Sequence, residues 1–368
     1  MELVHAELIR RLADRYQFTV FATDVDPDVR KLVKWHRIRV PRRPIPLKTA
    51  LFSLVAGLRL VRAPVDLVHT CGAVVLNRVD ASTVHFCHAG YLGKRESLAP
   101  SAMPPVRRLN TAIKRVQALA MERWSYRSSH VRVLLAVSSQ VESELADHFP
   151  GTAVRLTPNG VDLRRFRPDR ATRQSVRAEA GATDDDVVVL FVGGDWARKG
   201  LDTAVNALAV ARRAGAPVRL WVVGSGDQHR YRQLAEEAGV GQSIRFWGHQ
   251  SDVAPWYQAA DIFLCTSTYE SFSLALVEAA AAGLPLVTTH VGVAAQLFAT
   301  GAVGPPGALV EDDPLAVGEA LVTLATDSAA RERCSRAARR RAEPFDWERL
   351  ADAVDQVYRD LLADGGRR

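Results

Sequence analysis

Ser267-Thr268-Tyr269-Glu270-Ser271-Phe272-Ser273-Leu274-Ala275-Leu276-Val277-Glu278-Ala279-Ala280-Ala281-Ala282-Gly283-Leu284-Pro285 reads as the end of a strand, a loop and a helix. The helix is predicted to begin near Ser273 and to stop at Gly283, with Pro285 beyond it. Almost all neighbours of Glu278 are apolar, and a carboxylate in such a helix needs hydrogen-bond partners. A ligand's pair of hydroxyls would suit, each charge-assisted bond being worth roughly 1.5–3 kcal/mol. A distant arginine would serve equally well. Glu270 lies in the loop before the helix N-terminus, where free backbone N–H groups favour an anion such as phosphate; capping a turn is its alternative role.

Working outward, short apolar or β-branched runs alternate with amphipathic helical stretches. Predicted strands are Phe18–Ala22, Leu67–Thr70, Thr83–Cys87, Val133–Val137, Val187–Val192, Arg219–Val223, Ile262–Cys265 and Leu286–Thr288. Predicted helices include Leu201–Ala214, Arg230–Ala238 and Pro314–Thr326. Strands written as continuous apolar runs are buried on both faces, so this alternation implies an α/β chain with parallel sheets covered by helices. Turn residues cluster at Thr157-Pro158-Asn159-Gly160-Val161-Asp162, which marks a domain boundary. In the tail, Trp347, Leu350, Val354, Val357 and Leu361 fall on one side of a helix. We therefore expect domains at 1–160 and 161–345, with a closing helix at 346–368.

A second segment bears on the phosphate. Phe191-Val192-Gly193-Gly194-Asp195-Trp196-Ala197-Arg198-Lys199-Gly200 runs from a strand into a glycine turn, with two adjacent cations before a helix. No Lys or Arg occurs between Arg245 and Arg331. Countercharge for a diphosphate at the Ser273 helix must then come from elsewhere, and Arg198 and Lys199 are suitable donors.

The 368 residues are 48% hydrophobic and 24% charged, the balance of a globular protein long enough for two domains. That balance excludes disordered, collagen-like and disulfide-scaffold chains. Cys71, Cys87, Cys265 and Cys334 are far apart in sequence, which argues against structural zinc and fits a reducing compartment. The net charge of +7 is uneven: residues 1–160 hold 24 Lys and Arg against 13 Asp and Glu, and the remainder holds 24 against 28. A basic front half suits an anionic membrane surface, a phosphorylated substrate or nucleic acid, or is simply a solvated surface. The opening residues lack a signal-type apolar core, and Thr49–Leu58 is too short to span a bilayer. Residues 279–310 carry no charge but are interrupted by glycine and proline, and so read as buried helix, buried strand and loop.

These motifs, in this order and spacing, resemble retaining glycosyltransferases of family 4, which have the GT-B fold. Glu270 and Glu278 match the family's E-x7-E pair, followed by Ala279-Ala280-Ala281-Ala282-Gly283-Leu284-Pro285. Asn159-Gly160-Val161-Asp162 with Phe166 and Pro168 is similar to its interdomain linker, and Val223-Gly224-Ser225-Gly226 to its V-G-x-G strand end. The Gly193–Gly200 turn resembles members acting on lipopolysaccharide cores. The resemblance implies two Rossmann-like domains facing each other across a cleft, with the C-terminal helix returning to the N-terminal domain. It implies that Glu278 holds the ribose hydroxyls. Arg198 and Lys199, with Gly194 and the backbone N–H groups near Ser273 and Leu274, would hold the diphosphate, while Glu270 faces the donor sugar. His88, preferred over His85, is the implied histidine near that sugar. Ser138 and Ser139 match another family position.

No metal or cofactor is implied, since cations and a helix terminus stabilise the departing diphosphate. Asp24-Val25-Asp26 is then an ordinary acidic loop.

The sequence departs from the family in places. Members open with a strand and a glycine-rich loop, whereas Met1-Glu2 leads directly into helix, so the first strand is expected to be missing, with roughly 10–20 residues upstream. Ser271 and Ser273 stand where glycine is usual, Gly194 where arginine is frequent, and Gln296 where glutamate is frequent. The function implied is transfer of a sugar, with retention, from a nucleoside-diphosphate sugar to a glycan, lipid-linked or small-molecule acceptor. The expected setting is the cytoplasm, peripheral to the membrane through the basic front half, with cations from Val106-Arg107-Arg108-Leu109-Asn110 through Arg115 and Arg123 on anionic lipid and no nucleic acid bound. Two alternatives stand beside it: a sugar-nucleotide-binding protein with an impaired front site, and a dinucleotide-dependent oxidoreductase. The second lacks the third glycine of G-x-G-x-x-G after Gly226.

Overall fold

The computed structural model describes residues 2–41, 43–93 and 105–365, which divide into two compact units: residues 1–159 with 347–368, and residues 160–346. The tail helix Trp347–Ala363 thus belongs to the first unit. Its Trp347, Leu350, Val354 and Tyr358 bury against Val4, Leu8 and Leu12 of the opening helix Glu2–Leu12, so the apolar stripe read in the tail faces a second stripe at the other end of the chain.

The first unit carries six parallel strands: β1 (Phe18–Ala22) and β2 (Val33–Arg37) pair with each other, while β3 (His69–Cys71), β4 (Val79–Val84), β5 (Val131–Ala136) and β6 (Ala153–Leu156) form a separate sheet in that order. The predicted strand Thr83–Cys87 is displaced, because β4 begins earlier and ends at Val84. Asp80 disguises that earlier start. Its carboxylate accepts the Val68 N–H and pairs with Arg132, which lets an acid sit inside a strand.

The second unit contains β7 (Val187–Val192), β8 (Val218–Val223), β9 (Ile244–Gly248), β10 (Ile262–Cys265), β11 (Leu286–Thr288) and β12 (Gly307–Leu309), all parallel, in the order β12-β11-β10-β7-β8-β9. Its core joins the apolar strands β7 and β8 to the inward faces of helices Leu201–Arg213 and Pro314–Thr326. Asp261 locks the centre of the sheet: it accepts the Val188 N–H at 2.7 Å and is itself paired with Arg173 and Arg177. From β7 the chain winds outward to β8 and β9, and from β10 it winds the other way. The carboxyl ends of β7 and β10 therefore flank the point where the strand order reverses, which is where open α/β sheets take their ligands.

Candidate functional site

Two loops leave that reversal point, Gly193–Gly200 after β7 and Thr266–Ser273 after β10. They are tied together by backbone. The Thr268 N–H donates to the Arg198 carbonyl at 3.0 Å, and the Thr266 hydroxyl donates to the Gly200 carbonyl at 2.8 Å. The approach demands glycine at residue 200, where φ is +71° and a Cβ would lie 1.9 Å from the Thr266 oxygen. Gly193 serves the chemistry more directly, because a Cβ there would sit 2.4 Å from Cε of Lys199 and block that side chain's path across the strand end.

Glu270 lies at the junction. Its Oε1 accepts from Lys199 Nζ at 2.8 Å, from Ser267 Oγ at 3.0 Å and from Arg198 at 3.2 Å. Burial pushes the Glu270 carboxyl up, but Lys199 and Arg198 together outweigh it and hold the group below its usual range. Arg198 is positioned further by the Tyr269 carbonyl and by Asp195. The loop thus presents both predicted cations on the one acid expected to face the sugar. Gly194 lies beside the Ser225 carbonyl, where a Cβ would make only ordinary contact.

The helix after Glu270 runs Leu274–Ala281, with Gly283 at φ +77° just past its end. Ser273 caps it in a left-handed conformation, φ +69° and ψ 79°, without a side-chain capping bond. Its Oγ is buried and has no hydrogen-bond partner among the described residues. A strained residue with an orphaned hydroxyl at a helix N-terminus is a natural anion donor. Ser273→Gly is expected to stabilise the protein by about 1 kcal/mol, strain released less the entropy of glycine, and to weaken diphosphate binding several-fold through the lost hydroxyl. Thermal unfolding with and without nucleotide reads both, and an unchanged or lower melting temperature would mean that this backbone stores no strain.

Glu278 is four residues beyond Leu274 and so shares its face, about 6 Å along the axis. Its Oε2 accepts the Tyr257 hydroxyl at 2.9 Å, while Oε1 has no partner among the described residues. The distant arginine expected as one alternative is not hydrogen-bonded to it. Burial raises the Glu278 carboxyl above its usual range despite the tyrosine, and burial likewise raises the Tyr257 hydroxyl. Sequence reasoning missed Tyr257, which is 21 residues upstream and carries no motif; its ring is held edge-on by Phe166.

In the first unit, His88 opens the short helix His88–Gly93, with its Nδ1 2.7 Å from Glu122. His85 lies just past β4 and is half-buried; desolvation, then the neighbouring His5, pulls its imidazole down to about 3. No histidine cluster is visible along the sequence, yet folding brings His5, His85 and Cys71 together, with candidate ligand atoms within 4.8 Å of one another and His69 against His5. Ser138 caps the helix Ser139–His148 through the Val141 N–H. Asp26 caps the helix Pro27–Arg30, which accounts for its place in the acidic loop. Of the predicted basic helix, the backbone Pro105–Ser125 is helical, while the side chains of Val106–Leu109 lie outside the described residues.

Comparison with known proteins identifies the family and the fold. Residues 1–165 match the family model described as Glycosyltransferase Family 4, and residues 186–327 match that of Glycosyl transferases group 1. A D-inositol 3-phosphate glycosyltransferase of Streptomyces avermitilis is 33% identical over 250 residues, 64% of this chain, and the match spans 53% of that relative's length. A protein of the same description from Xylanimonas cellulosilytica is 29% identical over 97% of this chain and 89% of its own. Among solved structures, WaaG, a glycosyltransferase involved in lipopolysaccharide biosynthesis, superposes with a TM-score of 0.78 at 21% identity, covering 96% of this chain and 94% of its own. That likeness shows the fold, two Rossmann-like units of the GT-B type. With both family models matched in their order along the chain, and the E-x7-E pair placed at the sheet's reversal point, the chain belongs to glycosyltransferase family 4.

Proposed function

We propose that this protein transfers a sugar from a nucleoside-diphosphate sugar to an acceptor hydroxyl, with retention of anomeric configuration and without a metal ion. The observation that carries the reading is the arrangement after β7 and β10: two cations, an orphaned Ser273 hydroxyl at a helix N-terminus, and a Glu278 oxygen left without a partner on the same helix face. Arg198, Lys199, Ser273 and the Leu274 N–H take the diphosphate, with Gly194 leaving room beside it. Glu278 takes the ribose hydroxyls. As the sugar–oxygen bond breaks, negative charge grows on the leaving diphosphate, and fixed cations with a helix terminus stabilise it without reorganisation. Glu270 and His88 act on the transferred sugar. Three donors hold Glu270 Oε1, which leaves Oε2 for a sugar hydroxyl.

The test is thermal stabilisation by UDP, GDP, ADP and NAD in EDTA, followed by sugar transfer with the matching donor. A nucleotide at about 100 times its dissociation constant adds roughly 2.7 kcal/mol. Stabilisation by one nucleoside diphosphate with turnover is expected. Stabilisation without turnover would leave a binding protein, and a response to NAD alone would overturn the reading. UDP comes first, because HepE of Anabaena, similar in fold at a TM-score of 0.67, has been solved with UDP.

The same proposal places the protein in the cytoplasm, against an anionic membrane surface. No helix among the described residues is long and apolar enough to cross a membrane. The helix Ile45–Val61 contains no acid and exposes Leu54, Leu58 and Val61. It lies beside the Pro105–Ser125 helix, which exposes Ile113, Val116 and Trp124 among Lys114, Arg115 and Arg123. Apolar residues fringed by one sign of charge fit a bilayer interface with anionic headgroups. Replacing Lys114, Arg115 and Arg123 with glutamine is expected to weaken binding to phosphatidylglycerol vesicles by on the order of 10²-fold, at about 1 kcal/mol per cation. Co-sedimentation unchanged by the triple substitution would remove this surface from the proposal.

A further inference from the structure

Glu122 is a glutamate in the Pro105–Ser125 helix, and no sequence motif marks it. Its side chain is only 3% exposed. Burying an ionised carboxylate demands several donors, and three are present. Oε1 accepts from the His88 backbone N–H at 2.9 Å and lies 2.7 Å from His88 Nδ1, while Oε2 accepts the Ala89 N–H at 3.2 Å. Among the described residues, His88 is the only basic side chain within salt-bridge distance of it. Both backbone N–H groups belong to the first turn of the His88–Gly93 helix, so one carboxylate holds the start of that helix and the ring it carries. The imidazole packs at 4.7 Å on Phe86 and remains 36% exposed.

We propose that Glu122 is a positioning residue for His88. By accepting the Nδ1 proton it fixes the tautomer and rotation of the ring, so that Nε2 is the nitrogen offered to the transferred sugar. When the ring is neutral with its proton on Nδ1, Nε2 presents a lone pair, which takes a hydroxyl rather than a carbonyl or carboxylate of the sugar. This rests on the reading that His88 acts on that sugar. Two backbone donors and one ring donor require an acceptor at both carboxyl oxygens. A glutamine supplies only one oxygen, and its amide N–H₂ meets either a backbone N–H or the ring N–H.

The experiment measures Glu122→Gln, Glu122→Asp, His88→Ala and the Glu122→Gln/His88→Ala double variant in steady-state transfer, together with ¹⁵N spectra of histidine-labelled protein at alkaline pH. The wild-type His88 signal is expected to show the proton on Nδ1, and Glu122→Gln to lose that single pattern. Turnover in Glu122→Gln is expected to fall by on the order of 10²-fold, as for a misplaced reacting group, with KM for the donor little changed. Glu122→Asp should recover part of it, and the double variant should be no slower than His88→Ala, as expected of groups acting as a unit. Thermal stabilisation by nucleoside diphosphate should stay at the wild-type level throughout, since that site lies on other residues. A wild-type spectrum with the proton on Nε2, or full turnover in Glu122→Gln beside a slow His88→Ala, would overturn the positioning role. The spectrum needs no variant and stands even if Glu122→Gln does not fold. Full turnover in His88→Ala would instead overturn the reading of His88 on which the proposal rests.

Discussion

Lys199→Ala is expected to lower kcat by about 10²–10³-fold, the range found when one preorganised donor to a developing oxyanion is removed. Among the described residues, Arg198 is the one other cation at this acid, and the chain has no Lys or Arg from 246 to 330, so the β10 side of the site has no positive side chain of its own there. The same substitution should destabilise the protein at neutral pH, because Glu270 then keeps only Arg198 and Ser267 around a mostly buried carboxylate. The sign follows from the depressed Glu270 carboxyl. Its contribution to stability is present above the ordinary carboxylate pKa and is lost as pH falls through the lower folded value. Lys199→Ala should therefore cost roughly 1–3 kcal/mol at pH 7 and less in acid. Glu270→Gln added to Lys199→Ala separates the two effects when nucleoside-diphosphate affinity is read: the melting temperature should recover while binding stays weak. Affinity returning with stability would show that Lys199 is a structural partner of Glu270 and nothing more.

The second unit was legible in the sequence where residue type and covalent order determine the structure. Val187–Val192, Ile262–Cys265 and Leu286–Thr288 are strands with the predicted bounds, because strands buried on both faces are written as unbroken apolar runs. The strands not read, β2, β6, β9 and β12, all lie at sheet edges, although the edge strands β1 and β3 were read; β6, Ala153–Leu156, is largely exposed and so carries no apolar run. The same division holds in the candidate site. Arg198, Lys199, Glu270, Ser273 and Glu278 lie on two loops and one helix that the β-α alternation places at adjacent strand ends, and among them Arg198 and Lys199 pair with Glu270. Tyr257, Glu122 and the gathering of His5, His85 and Cys71 depend on which helix packs on which strand. No local pattern encodes that. Ser273 lies between these cases. The sequence showed a serine in place of glycine, and only the backbone at φ +69° shows that the substitution keeps the glycine's conformation and leaves a buried hydroxyl beside it.

Glu278→Gln is expected to weaken nucleoside-diphosphate binding by on the order of 10²-fold, since two hydrogen bonds from ribose hydroxyls would lose their charged acceptor. The wild-type affinity should also depend on pH. Burial raises the Glu278 carboxyl, so the folded protein without ligand favours its protonated form: that contribution to stability is complete in acid and is lost as pH rises through the raised folded value. A ribose needs the ionised form as its acceptor. Binding should therefore strengthen across the same window, from the ordinary carboxylate range upward, as the protein alone loses that small contribution. Tyr257→Phe shifts the window further up, because the hydroxyl at 2.9 Å favours the ionised carboxylate and its loss leaves burial opposed only by the charges of Arg165 and Lys199. At high pH this variant should bind almost as well as wild type, having lost no contact with ligand. Calorimetric titration from acid to alkaline pH reads all three proteins, with Glu278→Gln reporting the ionisation of the nucleotide's own terminal phosphate, near pH 6. Wild-type and Glu278→Gln curves running parallel, with no additional transition in the wild type, would take Glu278 off the ribose and leave it a buried partner of Tyr257.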